Sequence, residues 1–221
     1  RARRPAPPMW YEQLKMGEAA APPASVSPGA PGRGVGPAAA KVYGKTGVSI
    51  GGYGEALYQN FSTTNESGEP SLADDQVTLL RAVVYIGYKF DDHWLFNSEL
   101  EYENAVVASD KGGEAEVEFA YVDYMHSRNF NARAGLVLIP MGLVNLLHEP
   151  TTFLGAIRPD VEQRILPTTW RELGVGAYGE AGPFTYSGYF VNGLNAAGYT
   201  ADEGIREGRQ EGSEARARNW A

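Results

Sequence analysis

The chain has 221 residues, of which 43% are hydrophobic and none is cysteine, and its formal net charge is −8. The acidic balance argues against nucleic-acid binding, and the absence of cysteine excludes disulfides, thiolate metal sites and cysteine nucleophiles. No run of about 18 or more apolar residues occurs, which excludes a transmembrane helix. A transmembrane strand stays compatible with this composition, because it shows only alternate residues to lipid.

Residues 1–41 are rich in proline, alanine and glycine. Such a segment buries too little apolar surface to offset its ordering entropy, so we expect a disordered linker ahead of one domain at 42–221. The first residues carry no signal-peptide pattern. We expect the chain to be a fragment of a longer protein.

From residue 42 onward the sequence alternates between apolar and polar residues. The alternation predicts strands at 47–61, 76–90 and 94–104. On the first strand, Val48, Ile50 and Tyr58 share one face, and Ser49 and Glu55 share the other. The second strand is the clearest, since one apolar row alternates with a mixed row: Leu80, Ala82, Val84, Ile86, Tyr88 and Phe90 against Arg81, Val83, Tyr85, Gly87 and Lys89.

Four more strands are predicted at 115–126, 131–139, 172–180 and 184–194. Either face of the fourth could be the apolar one, and the face with Ala120, Val122 and Tyr124 is favoured because it leaves Asp123 on the polar side. On the fifth, Ala132, Ala134, Leu136 and Leu138 are expected on the apolar face. An eighth strand is expected to begin at about residue 215.

The predicted strands are long, and aromatic residues gather at their ends. Soluble strands usually run about 5–6 residues, whereas a strand crossing a bilayer needs about 9–11. Tyr88, Phe90 and Trp94 flank one turn, and Tyr58 and Tyr102 lie toward the opposite ends. These positions are typical of the aromatic girdles of membrane barrels.

The predicted connections alternate between short and long. Tight turns at 91–93, 127–130 and 181–183 alternate with long connections at 62–75, 105–114, 140–171 and 195–214. This is the topology of outer-membrane barrels. We therefore expect an all-β fold, a partial antiparallel up-and-down transmembrane β-barrel of about seven strands plus the start of an eighth.

The connection 140–171 combines prolines with charges of both signs. A structureless loop of this length is usually functional, and we expect it to fold inward and narrow a pore whose charges set ion selectivity. An external loop held by its own salt bridges is the alternative. The residues expected to line the pore are Arg81, Lys89, Glu99, Glu101, Arg133, His148, Glu149, Arg158, Asp160, Glu162, Arg164, Arg171 and Glu172.

Two motifs resemble a known family. Ile139-Pro140-Met141-Gly142 resembles the strand end of phosphate-selective (O/P-type) porins, and residues 148–174 resemble a branch of porin-like outer-membrane proteins of Gram-negative bacteria. The likeness covers about residues 47–221. It implies a channel, in an outer membrane, with homotrimers common among related porins. It does not imply phosphate, because the expected pore residues carry both signs of charge.

The acidic residues of the third strand have two interpretations. Glu99 and Glu101 would favour cations if they lie unpaired at a constriction, or they pair with Arg81 and Lys89 across the neighbouring strand. A carboxylate pair for glycoside hydrolysis is a further reading, but strand faces in barrels carry such pairs routinely. We expect no enzymatic activity.

His148 and Glu149, with Asp160 or Glu162, could bind a metal ion. A lone histidine in a charged loop more commonly only donates and accepts hydrogen bonds, so neither a metal nor a cofactor is expected. The predicted function is passive diffusion of small charged solutes or ions, with outer-membrane lipid as the surroundings. The alternatives are a plugged, energy-coupled receptor for a nutrient or metal chelate, and a soluble β-sandwich binding module.

Overall fold

A computed structural model describes residues 35–167 and 169–221, without the side chain of Arg164. Seven antiparallel strands form one open sheet in the order of the sequence. The strands are β1 (Gly47–Gln59), β2 (Gln76–Lys89), β3 (Trp94–Glu103), β4 (Ala115–Met125), β5 (Asn131–Leu138), β6 (Arg171–Ala181) and β7 (Phe184–Val191). The seven predicted strands are confirmed, and most of their predicted ends lie within a few residues of the observed ones.

The helical elements are single turns in the connections. Turns of 3₁₀ helix occur at Ala39–Tyr43, Asn145–Leu147, Pro150–Thr152, Ala196–Gly198 and Arg206–Gly208, and a π-helical turn at Val161–Ile165. Among the described residues, no helix has the length and apolar character needed to cross a membrane.

The two faces of the sheet differ in exposure: one carries exposed apolar side chains, and the other buries charged side chains beside an apolar cluster. On β1, Ile50 is 71% exposed, whereas the polar neighbours Ser49 and Glu55 are half-buried. On β3, Glu99 and Glu101 are buried and Tyr102 is exposed. We call the exposed side the apolar face and the other the polar face. The polar face is the one covered by other parts of the chain.

The orientation of β4 follows the favoured interpretation. Phe119, Tyr121 and Asp123 are buried on the polar face, and Val122 is exposed on the apolar face. The register of the sheet supports this orientation. Asp123 is paired with Leu95 on β3 and with Arg133 on β5, and both of these residues are buried.

The alternation predicted for β2 is wrong at its start. Glu55 pairs with Arg81 and Ala56 pairs with Leu79, so Leu80 is the additional residue of a β-bulge. Leu79 is exposed, whereas Leu80 lines a cavity on the polar face. A bulge shifts the side-chain period by one residue, and this reverses the face predicted for Leu80.

Leu136 and Leu138 were both expected on the apolar face. Leu136 is paired in register with Leu173, which is exposed, whereas Leu138 is buried in the core. Pairing between β4 and β5 ends at Ala120 and Leu136, so the last residues of β5 leave the β4 ladder. Gly135 has φ of 137°, which interrupts the regular strand geometry just before this point. Leu138 then joins the buried apolar cluster that contains Phe119.

The predicted linker extends too far along the chain. Residues 1–34 lie outside the described residues, but Val35, Ala39 and Val42 are each at most 3% exposed and belong to the core cluster. The turn Ala39–Tyr43 contacts β1, β2 and β3. Residues 35–41 of the predicted linker are therefore packed, because small residues in this segment fit closely onto the polar face.

An eighth strand from residue 215 is not present over that full range. Only the last two residues are in strand geometry: Asn192 bridges to Trp220, and Val191 exchanges two backbone hydrogen bonds of 2.8 Å with Ala221. The Trp220 ring stacks on Phe190 at 5.2 Å between centroids. In the segment predicted as the eighth strand, pairing with the end of β7 thus starts at residue 220.

Candidate functional site

The polar face of the sheet is covered by the long connection between β5 and β6, residues 139–170, here called the covering loop. Asn145, His148 and Arg158 of this loop are buried. The side chain of His148 reaches Glu99 on β3, with 3.1 Å between Nε2 and Oε2. The loop therefore lies against the charged face of the strands, as the inward-folded interpretation requires.

Asn145 holds the two ends of the covering loop together. Its Nδ2 donates hydrogen bonds to the carbonyl oxygens of Ile139 at 2.7 Å and Trp170 at 2.8 Å. Its Oδ1 accepts from the backbone N–H of Trp170 at 2.8 Å. Because Asn145 is fully buried, these bonds are shielded from water and fix the base of the loop.

Glu162 fixes the start of the loop. Its Oε1 accepts a hydrogen bond of 2.7 Å from the backbone N–H of Leu143. Gly142 adopts φ of 79°, and a Cβ there would come within 2.4 Å of the other Glu162 oxygen. Glycine is thus required at this position for both its backbone conformation and its lack of a side chain.

His148 is surrounded by hydrogen-bond acceptors. Its Nδ1 lies 3.0 Å from the carbonyl oxygen of Asn145, and its Nε2 lies against the Glu99 carboxylate. Both ring nitrogens can donate to these acceptors only when both carry protons, which favours the imidazolium form. Burial lowers the pKa of His148, but the Glu99 carboxylate more than compensates, and the pKa lies above its usual value.

Arg81 pairs with carboxylates on both neighbouring strands. Its Nε lies 3.0 Å from Glu55 on β1, and its Nη1 lies 2.9 Å from Glu101 on β3. The cross-strand interpretation is thus confirmed for Arg81 with Glu101. Glu99 is held differently, since it accepts a hydrogen bond of 3.0 Å from the Tyr85 hydroxyl besides its contact with His148.

Lys89 does not join this group. It is the last residue of β2 and its ammonium lies 3.6 Å from Asp92, in the short turn to β3. Its expected pairing with Glu99 or Glu101 is wrong, because Lys89 faces Leu95 in register, well before Glu99 on β3.

Arg133 forms a separate cluster on the polar face. Its Nε and Nη2 lie 2.7 and 3.0 Å from the two oxygens of Asp123. The same carboxylate accepts from the hydroxyls of Tyr43 at 2.6 Å and Tyr178 at 2.7 Å. The guanidinium lies 3.8 Å from the ring centroid of Tyr121. All these charges are satisfied internally, which makes the cluster a structural anchor.

A cavity of about 490 Å³ opens between β1–β4, the covering loop and the segment around residues 206–211. Of the residues predicted to line a pore, it brings together Arg81, Arg158, Asp160 and Arg171. Its charged lining carries both signs: Glu55, Glu103, Glu114, Glu116, Glu118, Asp160 and Glu211 against Arg81, Arg158, Arg171, Arg206 and Arg209. The carboxylates come mainly from the strands, and most guanidinium groups come from the connections.

Arg171 is paired with three carboxylates of the cavity. Its Nη2 lies 2.9 Å from Glu116, and its Nη1 lies 3.4 Å from Glu118 and 3.8 Å from Glu211. The contacts with Glu116 and Glu118 cross from β6 to β4 because β5 has left the β4 ladder. Arg171 therefore neutralises carboxylates that would otherwise face the cavity together.

The charges around the cavity shift the pKa values of two residues in the connections, Arg158 and Glu114. Burial lowers the pKa of Arg158, with Arg81 acting in the same direction and Glu118 opposing it. The pKa of Glu114, just ahead of β4, is raised mainly by the neighbouring carboxylate of Glu116. The shift of Glu114 shows that like charges lie close together at the start of β4.

Glu172 and Glu149, which were also predicted to line the pore, hold the connections in place through hydrogen bonds. Glu172 accepts hydrogen bonds from Trp170 Nε1 at 3.2 Å and from the backbone of Gln210 at 2.9 Å. Glu149 accepts from the backbone of residues 38 and 39, and burial raises its pKa although these bonds partly oppose the shift. The Arg164 side chain lies outside the described residues. His148 and Glu162 point to different partners, so they do not converge as a metal site would require.

The sequence analysis missed Asn145 and several charged residues that line the cavity: Glu114, Glu116, Glu118, Arg206, Arg209 and Glu211. Glu114, Glu116 and Glu118 recur with period two from just ahead of β4 into its first residues, and this pattern alone places them on one strand face. The bulge between Glu99 and Leu100 against β4 then turns Glu118 toward Arg171. No sequence signal distinguishes Asn145 from other loop asparagines.

Comparison with known proteins gives one informative similarity. The chain is 47% identical over 189 residues, 84% of its length, to an uncharacterized protein of Aquifex aeolicus (strain VF5). The aligned part covers 42% of that relative, so the chain spans about two fifths of the length of the curated protein it matches. No family model matches the chain. No solved structure matches it either.

Proposed function

We propose that this chain forms part of the wall of an outer-membrane β-barrel channel of a Gram-negative bacterium, through which small charged solutes diffuse passively. The observation that carries this proposal is the reversed polarity of the sheet: apolar side chains are exposed and ionised side chains are buried on the opposite face. That arrangement suits a wall between hydrocarbon and water.

The exposed apolar side chains support a lipid boundary. Val48, Ile50, Val84 and Ile86 lie on the apolar face of two neighbouring strands and are each exposed by more than a third. Leaving such surface in water is unfavourable by about 25 cal/mol per Å². Contact with lipid tails removes this penalty, whereas the charged polar face could not be placed there.

Aromatic side chains at the strand ends support the same boundary. Trp94 contacts Tyr124 at 4.8 Å between ring centroids, and Tyr88 contacts Phe90 at 4.8 Å, around the short turn between β2 and β3. Tyr58 and Tyr102 are exposed at the other end of the sheet. Two aromatic bands at opposite ends of an apolar surface are typical of membrane interfaces.

The covering loop is proposed to be the constriction. It lies on the polar face, it is anchored by Asn145 and His148, and it borders the mixed-charge cavity. In such a passage, fixed charges and width would set the selectivity. Among the described residues that line the cavity, carboxylates outnumber guanidinium groups by seven to five, which favours a weak preference for cations.

The experiment is planar-bilayer recording with the full-length protein purified in detergent. We expect stepwise, ohmic current increments. A plugged, energy-coupled receptor would instead pass little current, and a soluble β-sandwich would need no detergent and would not enter the bilayer. Either result would overturn the proposal.

Two adjacent substitutions on β1 provide a matched control for insertion. Ile50→Lys places a charge on the apolar face, and Ser49→Lys places the same charge on the polar face. A lysine in the hydrocarbon costs about 2–4 kcal/mol at the midplane and less near the interface. Only Ile50→Lys should therefore reduce assembly into vesicles.

A further inference from the structure

Residues 35–43, here called the strap, lie across the polar face rather than extending away from the sheet. The strap contacts β1, β2 and β3 through its 3₁₀ turn. Val35, Ala39 and Val42 are buried in this contact. Asn97 on β3 donates a hydrogen bond of 3.0 Å from Nδ2 to the carbonyl oxygen of Ala39. The strap is therefore a docked element with specific partners.

The strap and the cavity follow one another along the strands. The strap contacts Gly87 and Asn97, which lie toward the short turn that joins β2 to β3. The cavity is lined by Arg81 and Glu103, toward the opposite ends of the same two strands. The Glu99–His148 pair, which holds the covering loop, lies between the cavity and the strap, so a solute from the cavity would pass the loop before it met the strap.

Glu149 joins the strap to the covering loop. Its Oε1 and Oε2 accept hydrogen bonds of 2.8 and 3.0 Å from the backbone N–H of Ala38, and Oε1 also accepts from Ala39 at 3.2 Å. A Cβ on Gly36 would come within 2.2 Å of the same carboxylate. The carboxylate thus sits at the start of the strap's helical turn, where negative charge is favourable.

We propose that the strap is a detachable gate of the channel, latched to the constriction by Glu149. This inference rests on the proposed channel function and assigns its regulation. The strap has no strand pairing with the sheet and is joined to β1 by residues 44–46, so it can leave the polar face without breaking the β ladder. Opening would break the hydrogen bond of the Tyr43 hydroxyl to Asp123, besides those of Glu149 and Asn97 to the strap, and would leave the strand pairing intact.

Gly87 allows the gate to be displaced without changing any charge. A Cβ on Gly87 would lie 2.5 Å from Cγ2 of Val42 and 2.9 Å from its Cβ, so Gly87→Ala forces the strap away. Gly51, on β1, provides the matched control, because a Cβ there meets only the flexible Lys41 side chain at 3.7 Å or more. Both substitutions add one methyl group to the polar face of neighbouring strands.

The first readout is the labelling rate of a cysteine placed at Ala39, in a chain that has no cysteine of its own. With a small water-soluble maleimide, we expect slow labelling in the Ala39→Cys protein and in its Gly51→Ala derivative. Glu149→Gln removes the charge of the latch, and loss of a charge-assisted hydrogen bond should speed labelling by about tenfold or more. Gly87→Ala should act in the same direction, and Glu69→Gln, on an exposed loop, should not.

The second readout is single-channel conductance of the full-length variants without the added cysteine. We expect larger conductance in Gly87→Ala and Glu149→Gln than in wild type, Gly51→Ala and Glu69→Gln. If every variant conducts, and if all variants are labelled at the same rate and have the same conductance, the proposed gate is overturned and the proposed channel is not. Absence of current in every variant, including wild type, would overturn the channel and the gate with it.

Discussion

The Glu99 carboxylate on β3 lies 3.1 Å from Nε2 of His148 in the covering loop, and both side chains are buried. This pair joins residues that are 49 positions apart in the sequence. It connects the strand wall to the loop at the centre of the polar face. Removing either partner would leave the other as an uncompensated buried group.

Replacing His148 by phenylalanine should therefore destabilise the protein strongly. Breaking a buried ion pair by removing one partner costs about 3–5 kcal/mol. The measurement is urea unfolding of the full-length protein in lipid or detergent. His126→Phe is the control, since His126 is exposed near a short turn. Equal unfolding midpoints for the two variants would show that the pair contributes nothing.

The contribution of His148 should depend on pH with a defined sign. Its pKa in the folded protein lies above the usual value, because Glu99 outweighs the effect of burial. The stabilisation is then complete below the pKa of the unfolded chain and is lost as pH rises through the folded pKa. The difference in unfolding midpoint between wild type and His148→Gln should shrink from pH 5 to pH 9, values that bracket the ordinary histidine pKa of about 6.5. A difference that grows with pH would contradict the assignment.

Replacing Asn145 by alanine should release the base of the covering loop. Asn145 makes three hydrogen bonds to backbone groups of Ile139 and Trp170 while buried. Leaving these groups unsatisfied costs about 1–3 kcal/mol each. We expect limited proteolysis to cut within residues 140–170 faster in Asn145→Ala than in Asn65→Ala, whose asparagine lies in an exposed turn. Cleavage at the same rate in both would argue that other contacts hold the loop.

Replacing Arg171 by glutamine should make the channel more cation-selective. The guanidinium lies against Glu116, Glu118 and Glu211, and its loss leaves three carboxylates facing the cavity with less compensation. The reversal potential measured in a salt gradient should shift toward the equilibrium potential of the cation. Arg128→Gln, which removes an exposed partner of Glu180 beside a short turn, should leave it unchanged. A shift toward anions in Arg171→Gln would refute the assigned role of the cavity.

Much of the sheet was predictable because side-chain period and turn length are local properties. The seven strands followed from alternation, and the face on which Asp123 lies followed from the charge of that residue. The bulge at Leu80 was not predictable, since a bulge depends on pairing with a neighbouring strand. The burial of Leu138 depends in the same way on β5 leaving β4.

The site was only partly predictable for a related reason. The sequence indicated that the long connection would carry charges, and Arg158, Asp160 and Arg171 indeed line the cavity. It could not show which charges meet. Lys89 was expected beside Glu99 but pairs with Asp92, whereas His148 reaches Glu99 from a distant loop. Contacts between residues far apart in sequence are set by the folded loop.

The docked strap was also missed, because its composition resembles that of a linker. Val35, Ala39 and Val42 are small and separated by proline, alanine and glycine. Their burial comes from close fit against Gly87 and from hydrogen bonds to Glu149 and Asn97. Composition alone carries no information about such a fit.

Spin-label accessibility along β2 tests the lipid-facing apolar surface most directly. Single cysteines at Val83, Val84, Tyr85, Ile86, Gly87 and Tyr88 would be labelled in the full-length protein in lipid vesicles. We predict that labels at Val84, Ile86 and Tyr88 collide readily with oxygen, which concentrates in hydrocarbon, and that labels at the intervening positions do not. Protection of Val84, Ile86 and Tyr88 from oxygen, as under a second protein layer, would contradict the membrane wall and the channel built on it.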